Sequence, residues 1–496
     1  MENTLFIVLK VILYRNKLLL YDRIVFKVGD IYMDYIKQFI KNLDPILNEI
    51  GGNVYLVGGY IRDKLISYRN KPKDADFIYD GNIEKLIKRL EKLEYKFFPI
   101  KKSAGIYRCL LDENIIDISE IKGNSIEEDL SKRDFTVNAI AMKVLQNKII
   151  DPFYGRRAIK NKIIKSVSKE SFNNDPIRIL RGIRLYLTLG MHFNKETEDM
   201  LVKEAYKISE APKERILSEL MTMIENDTEG KVFELLDTFS VLKYLIPYTE
   251  ELKTIGKCKY HVEDVFTHSN LTYKVFKDIV KQRINIKGID LIEFNSKIGE
   301  FSIREYIALV CFLHDIGKYK AYTKNSDGSI SFSGHEEIGS QICKAICENL
   351  RFPKKASKFV EDIVGAHMYP LKYFKDTADN KRKNYYKFFS RYDKLSKVIL
   401  IVSFCDNYAT RMLLDKENEK EKYKRFVEDM LHEYDVYAEI KNNKIIDGNY
   451  IEDILGETGS IVGDVIKNMD EFRYLKRINT KEEAIEYVKK IKLARL

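Results

Sequence analysis

In the N-terminal third, short apolar runs alternate with stretches of helical spacing. "NVYLVGG" (53–59) is an apolar run closed by two glycines and predicts a buried strand. "YIRDKLIS" predicts a helix after it, and "KDADFIYDG" a second strand whose apolar residues follow two acids. "IEKLIKRLEKL" places apolar residues at helical intervals, and "IYRCLL" and "NIIDISEI" predict two adjacent strands. Residues 34–155 are therefore expected to form one α/β unit. From about Ile159 the pattern turns helical, led by "DPIRILRGIRLYLTLG", "KETEDMLVKEAYKI" and "KERILSELMTMIEN". Asp175 followed by Pro176 fits a helix start, with an acid as N-cap and proline in the first turn. A linker is expected near "YTEELKTIGKCKYH", then a second helical region, 260–410, holding five of the seven histidines, then Lys/Glu-rich helices.

A length of 496 residues exceeds one hydrophobic core and implies about three or four domains. With 32% charged and 45% hydrophobic residues, the profile is that of a soluble globular protein. No run of about 18 uncharged apolar residues suggests a membrane span. The opening stretch is acidic before Lys10 and has no small-residue cleavage site, so a cytoplasmic protein is expected. Residues 1–33 read either as an extension ahead of Met33 or as a small strand-rich cap. The six cysteines form no CxxC pair and read as free buried thiols, with Cys343 and Cys347 packing on one helix face. The net charge of +10 suits a polyanionic partner such as RNA, although a Lys-rich surface produces the same number.

Two elements give the α/β unit its chemistry. Gly58 and Gly59 sit between a strand and a helix, where missing Cβ atoms and free N–H groups admit a phosphate; Arg62 lies one turn further on. Asp74 and Asp76, two apart on a strand, share a face and suit Mg²⁺. A third carboxylate on a neighbouring strand would complete a two-metal site; Asp117 is the candidate and Glu120 the alternative.

In order, "LVGGYIRDKLI…KPKDADF", "EEDLSKRDFTVNAIAM", "DPFYG", "NDPIRILRGIRL" and "KERILSEL" resemble the successive motifs of the bacterial class II tRNA nucleotidyltransferase and poly(A) polymerase family, over residues 34–250. The resemblance implies a polymerase β-like head with a five-stranded sheet and a helical neck and body. It also implies Mg²⁺ on Asp74 and Asp76, and triphosphate contacts from Gly59 and Arg62. Arg133 would contact the nucleotide, with Asp134 and Asn138 shaping the sugar pocket. Asp175 and Arg178 would read the incoming base, since Arg offers only donors and Asp only acceptors. Arg181 and Arg184 would extend the same helix face toward phosphates. The chain departs from the family at Asn174, where Glu is usual, and at Ala158, where an acid is common. Between "DISEIK" and "SIEEDL" only Gly123 and Asn124 remain, where members that add all of CCA carry a longer flexible loop. By the family pattern that shortening marks enzymes that add CC and leave the A to a separate A-adding partner. Both full CCA and CC-only addition stay open.

A second constellation comprises His268, the adjacent His314 and Asp315 followed by Gly317 and Lys318, then His335, His367 and Asp406. Histidine and carboxylate together suit a divalent transition metal such as Mn, Ni, Co, Fe or Zn. The ordered set resembles the HD phosphohydrolase superfamily. That implies His268, His314, Asp315 and Asp406 as metal ligands, with His335 and His367 as further ligands or phosphate-facing groups, and Lys318 on phosphate. His261 is a weaker alternative to His268. The expected organisation is an extension of doubtful status (1–33), a nucleotidyltransferase head (34–158), a helical neck and body (159–255), an all-helical HD domain (256–412) and a helical tail (413–496). The expected partners are the tRNA acceptor end, CTP and ATP, with no membrane. The expected activity is Mg²⁺-dependent addition of CCA or CC, joined to phosphohydrolase activity in tRNA end repair. The rivals are a poly(A) polymerase and a mainly HD-type nucleotide phosphohydrolase with an RNA-binding N-terminal half.

Overall fold

The computed structural model describes residues 34–67, 72–101, 105–256, 263–376, 381–415 and 418–494. The N-terminal extension and His261 lie outside them. The chain divides into two compact units between Lys207 and Ile208.

The first unit is built on a sheet of seven strands in the order β3-β4-β5-β2-β1-β6-β7. They are β1 Val54–Val57, β2 Asp74–Tyr79, β3 Phe97–Lys101, β4 Ile106–Leu111, β5 Asn114–Glu120, β6 Ala141–Lys143 and β7 Lys148–Ile150. The expected five-stranded sheet is thus widened: β7 pairs only with β6 at one edge, and β3 only with β4 at the other. β2 and β5 run parallel, and the other pairs are antiparallel.

Period-2 alternation sorts the residues of β2 to two faces. Ala75 and Phe77 point into a core shared with Leu56, Ile116 and Ile118, covered by α1 Asp34–Ile50 and α3 Ile83–Glu91. Asp74, Asp76 and Ile78 point to the opposite face. There Ile78, Tyr55 and Val57 are covered by Ile126 and Leu130 of α4 Ile126–Ser131 and by the turn leading to Ala139. Between β1 and β2 lies α2 Gly59–Ile66; α5 Gly155–Lys160, α6 Ser171–Asn174, α7 Arg178–Leu189 and α8 Lys195–Glu204 follow the sheet. The helix expected from Pro176 begins at Arg178. Asp175 stays extended (φ −155°, ψ 98°), and its carbonyl accepts the Arg178 N–H at 3.1 Å, closing a turn ahead of the helix.

The second unit is helical. His268 is carried by α9 Val265–Val280, and His314 directly follows α10 Ile303–Leu313. His335 opens α11 His335–Asn349, His367 follows α12 Lys354–Ala366, and Asp406 lies within α13 Leu395–Leu413. Helix α9 packs on α10 and α13, and α12 on α10, α11 and α13, so the helix segments that carry these side chains converge. Gly317 sits where α11 closes on the end of α10: a Cβ built there falls 2.1 Å from the His335 carbonyl oxygen and 2.5 Å from the Gly339 nitrogen. In the tail, α14 Glu419–Asn442 packs on α13. The last three helices, α15 Gly448–Leu455, α16 Ser460–Tyr474 and α17 Lys481–Leu493, enclose their own small core around Ile451, Val465 and Val488. The five described cysteines are buried and free.

Because backbone atoms cannot give way as a side-chain tip can, Gly317→Ala is expected to destabilise the second unit by about 1–3 kcal/mol. Chemical denaturation should show a lowered midpoint for that unit.

Candidate active sites

The β1–β2 and β2–β5 registers assemble the first site. Asp76 pairs with Val57 on one side and with Asp117 on the other. Asp74, Asp76 and Asp117 therefore lie on one sheet face, with both β2 acids exposed. Crowding of protein around Asp76 pushes its carboxyl pKa up. Asp117 and Asp74 add to that shift, while Arg133 and Arg181 oppose it. Glu120, the alternative third acid, pairs with Tyr79 and points to the other face from Asp117. Arg108, which sequence reasoning missed, clamps Asp117 with Nε at 2.8 Å and Nη2 at 2.7 Å. Its two strands are the neighbours that the sequence predicts; the register that sets it opposite Asp117 is what the sequence leaves open.

Gly58 has φ 74° and ψ −139°, a conformation open to glycine. A Cβ there would stand 3.1 Å from Arg133 Nη1 and 3.5 Å from Asp76 Oδ2, so the glycine keeps both groups close to the backbone at the head of α2. Arg62 Nη1 donates to Asn138 Oδ1 at 2.6 Å, and Asn138 Nδ2 donates to Asp134 Oδ1 at 3.0 Å. Asp134 also accepts from the Phe135 N–H at 2.7 Å and from Arg181 Nε at 2.9 Å. Burial alone would raise the Asp134 pKa; Arg181, Asn138 and the Phe135 N–H outweigh it and hold the carboxyl below its ordinary range. Arg178 Nη1 donates to the Arg133 carbonyl at 3.1 Å and to Ser171 Oγ at 3.0 Å, and Nη2 to the Lys132 carbonyl at 2.6 Å. The Asp175 side chain accepts the Ile177 N–H at 3.4 Å. Asp175 and Arg178 thus meet through the turn ahead of α7, not through one helix face, and both line a cleft of about 650 Å³. Gly58, Arg62, Asp76 and Arg181 line it too. A floor of acids and a wall of guanidinium groups can hold a nucleoside triphosphate with divalent ions between them.

The shortened connection after β5 borders this cleft. The Lys122 N–H donates to Asp129 Oδ2 at 3.0 Å, and the Asn124 N–H to Glu128 Oε2 at 2.8 Å. Lys132 Nζ donates to the Lys122 carbonyl at 2.9 Å, and Ser125 caps α4 by accepting the Glu128 N–H.

In the second unit six predicted side chains meet in a buried cluster. His268 Nε2 lies 2.9 Å from Asp406 Oδ1, and His314 Nε2 lies 3.2 Å from Asp315 Oδ2 and 3.7 Å from Asp406 Oδ1. His335 Nε2 lies 3.2 Å from Asp315 Oδ1 and 3.4 Å from His367 Nε2. The Nδ1 atoms of His314, His335 and His367 face backbone carbonyls three residues earlier, at 3.0, 2.9 and 2.7 Å. Those carbonyls can only accept, so each Nδ1 carries the proton and each Nε2 presents its lone pair to the cluster. Two lone pairs facing each other at 3.4 Å, beside carboxylates, fit a divalent ion. Burial lowers the His367 pKa to about 3, helped by His314 and His335. Burial works in the same direction on His314, but with no ion bound Asp315 and Asp406 overcome it and raise the group to about 10, so an ion entering the cluster would displace the proton that this ring then carries on Nε2. Lys318 Nζ sits 2.5 Å from Asp315 Oδ2. Glu263, missed in the sequence, stands 3.3 Å from His268 Nδ1 and orients that ring. A cavity of about 330 Å³ opens over Asp315, His335 and Asp406, walled by Phe332, Met368 and Leu371.

Comparisons with known proteins bear on both units. The poly A polymerase head domain family matches residues 54–165, the probable RNA and SrmB-binding site of polymerase A 190–253, and the HD domain 289–411. The chain is thus a polymerase-type nucleotidyltransferase with an appended HD domain. It belongs to the bacterial tRNA nucleotidyltransferase and poly(A) polymerase family. It is 26% identical to the A-adding tRNA nucleotidyltransferase of Deinococcus radiodurans over 442 residues, covering 88% of this chain and 94% of that protein. It is 26% identical to the CC-adding tRNA nucleotidyltransferase of Thermus thermophilus over 446 residues, covering 87% and 92%. A solved CCA-adding enzyme in complex with ATP matches at a TM-score of 0.64 and 20% identity, covering 94% of this chain and 97% of that one. His268 precedes the matched HD segment, yet its ring completes the cluster.

The depressed Asp134 pKa carries a stability consequence. The carboxylate stabilises the fold fully above its unfolded pKa of about 3.9, and that contribution is lost as pH falls through the lower folded value. Asp134→Asn is expected to be less stable at pH 7 and to lose less of its stability on acidification below about pH 4. Denaturant titrations across that window check both signs.

Proposed function

We propose that this nucleotidyltransferase adds cytidines to the 3′ end of tRNA, without a nucleic-acid template, and stops after CC. The observation that carries the CC limit is the clamped connection 121–125. Its backbone is tied to Asp129, Glu128 and Lys132 of the same wall that borders the nucleotide cleft. By the family resemblance, adding the final A needs a longer, freely swinging segment at this place to reset the base-reading pair; a short segment held at each end has no such travel. A CC-adding relative from Synechocystis is 34% identical over 165 residues, covering 33% of this chain and 40% of that protein.

Within this reading Asp74, Asp76 and Asp117 hold Mg²⁺, which when bound neutralises triphosphate charge and eases loss of the attacking hydroxyl's proton. Arg62, Arg133 and Arg181 hold the phosphates, with Asp134 and Asn138 fixing two of them in place. Arg178, anchored on the Lys132 and Arg133 carbonyls, stands beside Asp175 to read the base edge. In the second unit His268, His314, Asp315 and Asp406 hold a transition metal, with His335 and His367 completing the set. Lys318 is placed to meet a phosphate, so this site trims phosphorylated RNA ends before repair. Among the described residues no helix is long and apolar enough to cross a membrane.

Purified protein given tRNA that lacks CCA is expected to add two nucleotides from CTP. With CTP and ATP together the product should still end in CC. A CCA end would contradict the CC limit, and long A tails from ATP alone would point to a poly(A) polymerase.

A further inference from the structure

Among the described residues, the face of the sheet that carries the catalytic acids is covered over only part of its width. α4 and the turn leading to Ala139 roof the β1 side, over Tyr55, Val57 and Ile78. Beyond Asp117 the face continues along one registered row, Asp76–Asp117–Arg108–Phe98, across β2, β5, β4 and β3. Leu110 and Ile115 share this face in the next row, beside Asp74. Phe98 is 45% exposed and Leu110 57%. Two large apolar side chains are exposed on one face, with Arg108 between Phe98 and the catalytic acids, and together they offer an apolar surface for a partner.

Geometry says which partner. The triphosphate end of the cleft lies on the β1 side of the acids, with Gly58 and Arg62. In phosphoryl and nucleotidyl transfer the attacking and leaving oxygens are roughly in line. The attacking 3′-hydroxyl must therefore arrive from the opposite side, over β5 and β4. By strand spacing Phe98 lies about 10 Å from Asp117, two steps of ~4.8 Å, within reach of a base on the nucleotide that offers the hydroxyl. Apolar faces accept unstacked bases and a cation accepts the backbone between them.

We propose that Phe98 and Leu110 form a stacking shelf for the unpaired 3′-terminal bases of the acceptor RNA, with Arg108 at its inner edge. The inference rests on the proposed transfer function. The shelf is reached without the triphosphate cleft, so primer binding and nucleotide binding are separable.

The test uses the full chain and a tRNA acceptor-stem minihelix whose 3′-terminal base is photoreactive. Irradiation without CTP should attach that base to the β3 or β4 strand, and the double variant Phe98→Ser/Leu110→Ser should lose the crosslink. Both positions are exposed, so the variant's circular dichroism should match wild type. Its KM for the minihelix should rise about tenfold, the size of one lost base–aromatic stack, with KM for CTP unchanged. The crosslink is read on binding alone, so it judges the shelf even if the wild type transfers no CMP, which would count against the transfer reading. A crosslink elsewhere, or an unchanged KM for the minihelix, overturns the shelf. A dimer in the wild type that the variant dissociates without affecting RNA would also overturn it, by assigning the face to a second copy of the chain.

Discussion

Like charges must be held together before either unit can do chemistry. In the first, one parallel strand pairing brings Asp76 beside Asp117 with Asp74 two residues away. These carboxylates repel, and the protein crowded around Asp76 leaves less water to screen the repulsion. Nearby cations answer it in this structure: Arg108 on Asp117, Arg133 and Arg181 toward Asp76. Those guanidinium groups are in turn fixed by neutral or anionic partners, of which buried Asp134 is the most connected. A triphosphate with divalent ions satisfies the same field from outside, so a site that tolerates its own acids is already shaped for that ligand.

The second unit meets the same constraint with histidine. Backbone carbonyls at helix ends fix the protonated nitrogen of three rings, turning their lone pairs inward against Asp315 and Asp406. Asp315 uses both oxygens, Oδ2 toward His314 and Lys318 and Oδ1 toward His335. Tight helix contact makes this possible, and Gly317 allows it by leaving room for the α11 backbone.

Much of this was legible in the chain, and the reasons differ by residue. Asp74 and Asp76 could be assigned to one face because alternation is a local property of a strand. The six HD-type side chains were legible because each sits in or beside a strong helical pattern. Asp175 was expected to cap the helix directly; instead Pro176 opens a turn here, the helix waits for Arg178, and Ile177 takes the cap position. Strands β6 and β7, three residues each, carry too few positions for a periodic signal, and Pro99 disguises β3; tertiary pairing forms all three. Arg108 and Glu263 were invisible for a related reason. Their roles arise from pairing across strands or across a turn, and nothing adjacent in sequence marks them.

The account places two chemistries at two centres in separate compact units of one chain. Its most direct test is to assay Asp76→Asn and Asp315→Asn side by side, for CMP transfer to tRNA and for metal-dependent release of phosphate from a 3′-phosphorylated RNA end. Asp76→Asn should lose transfer by at least about a hundredfold and keep the hydrolysis, and Asp315→Asn should do the reverse. Loss of both activities in either variant, or transfer that survives Asp76→Asn, would contradict it.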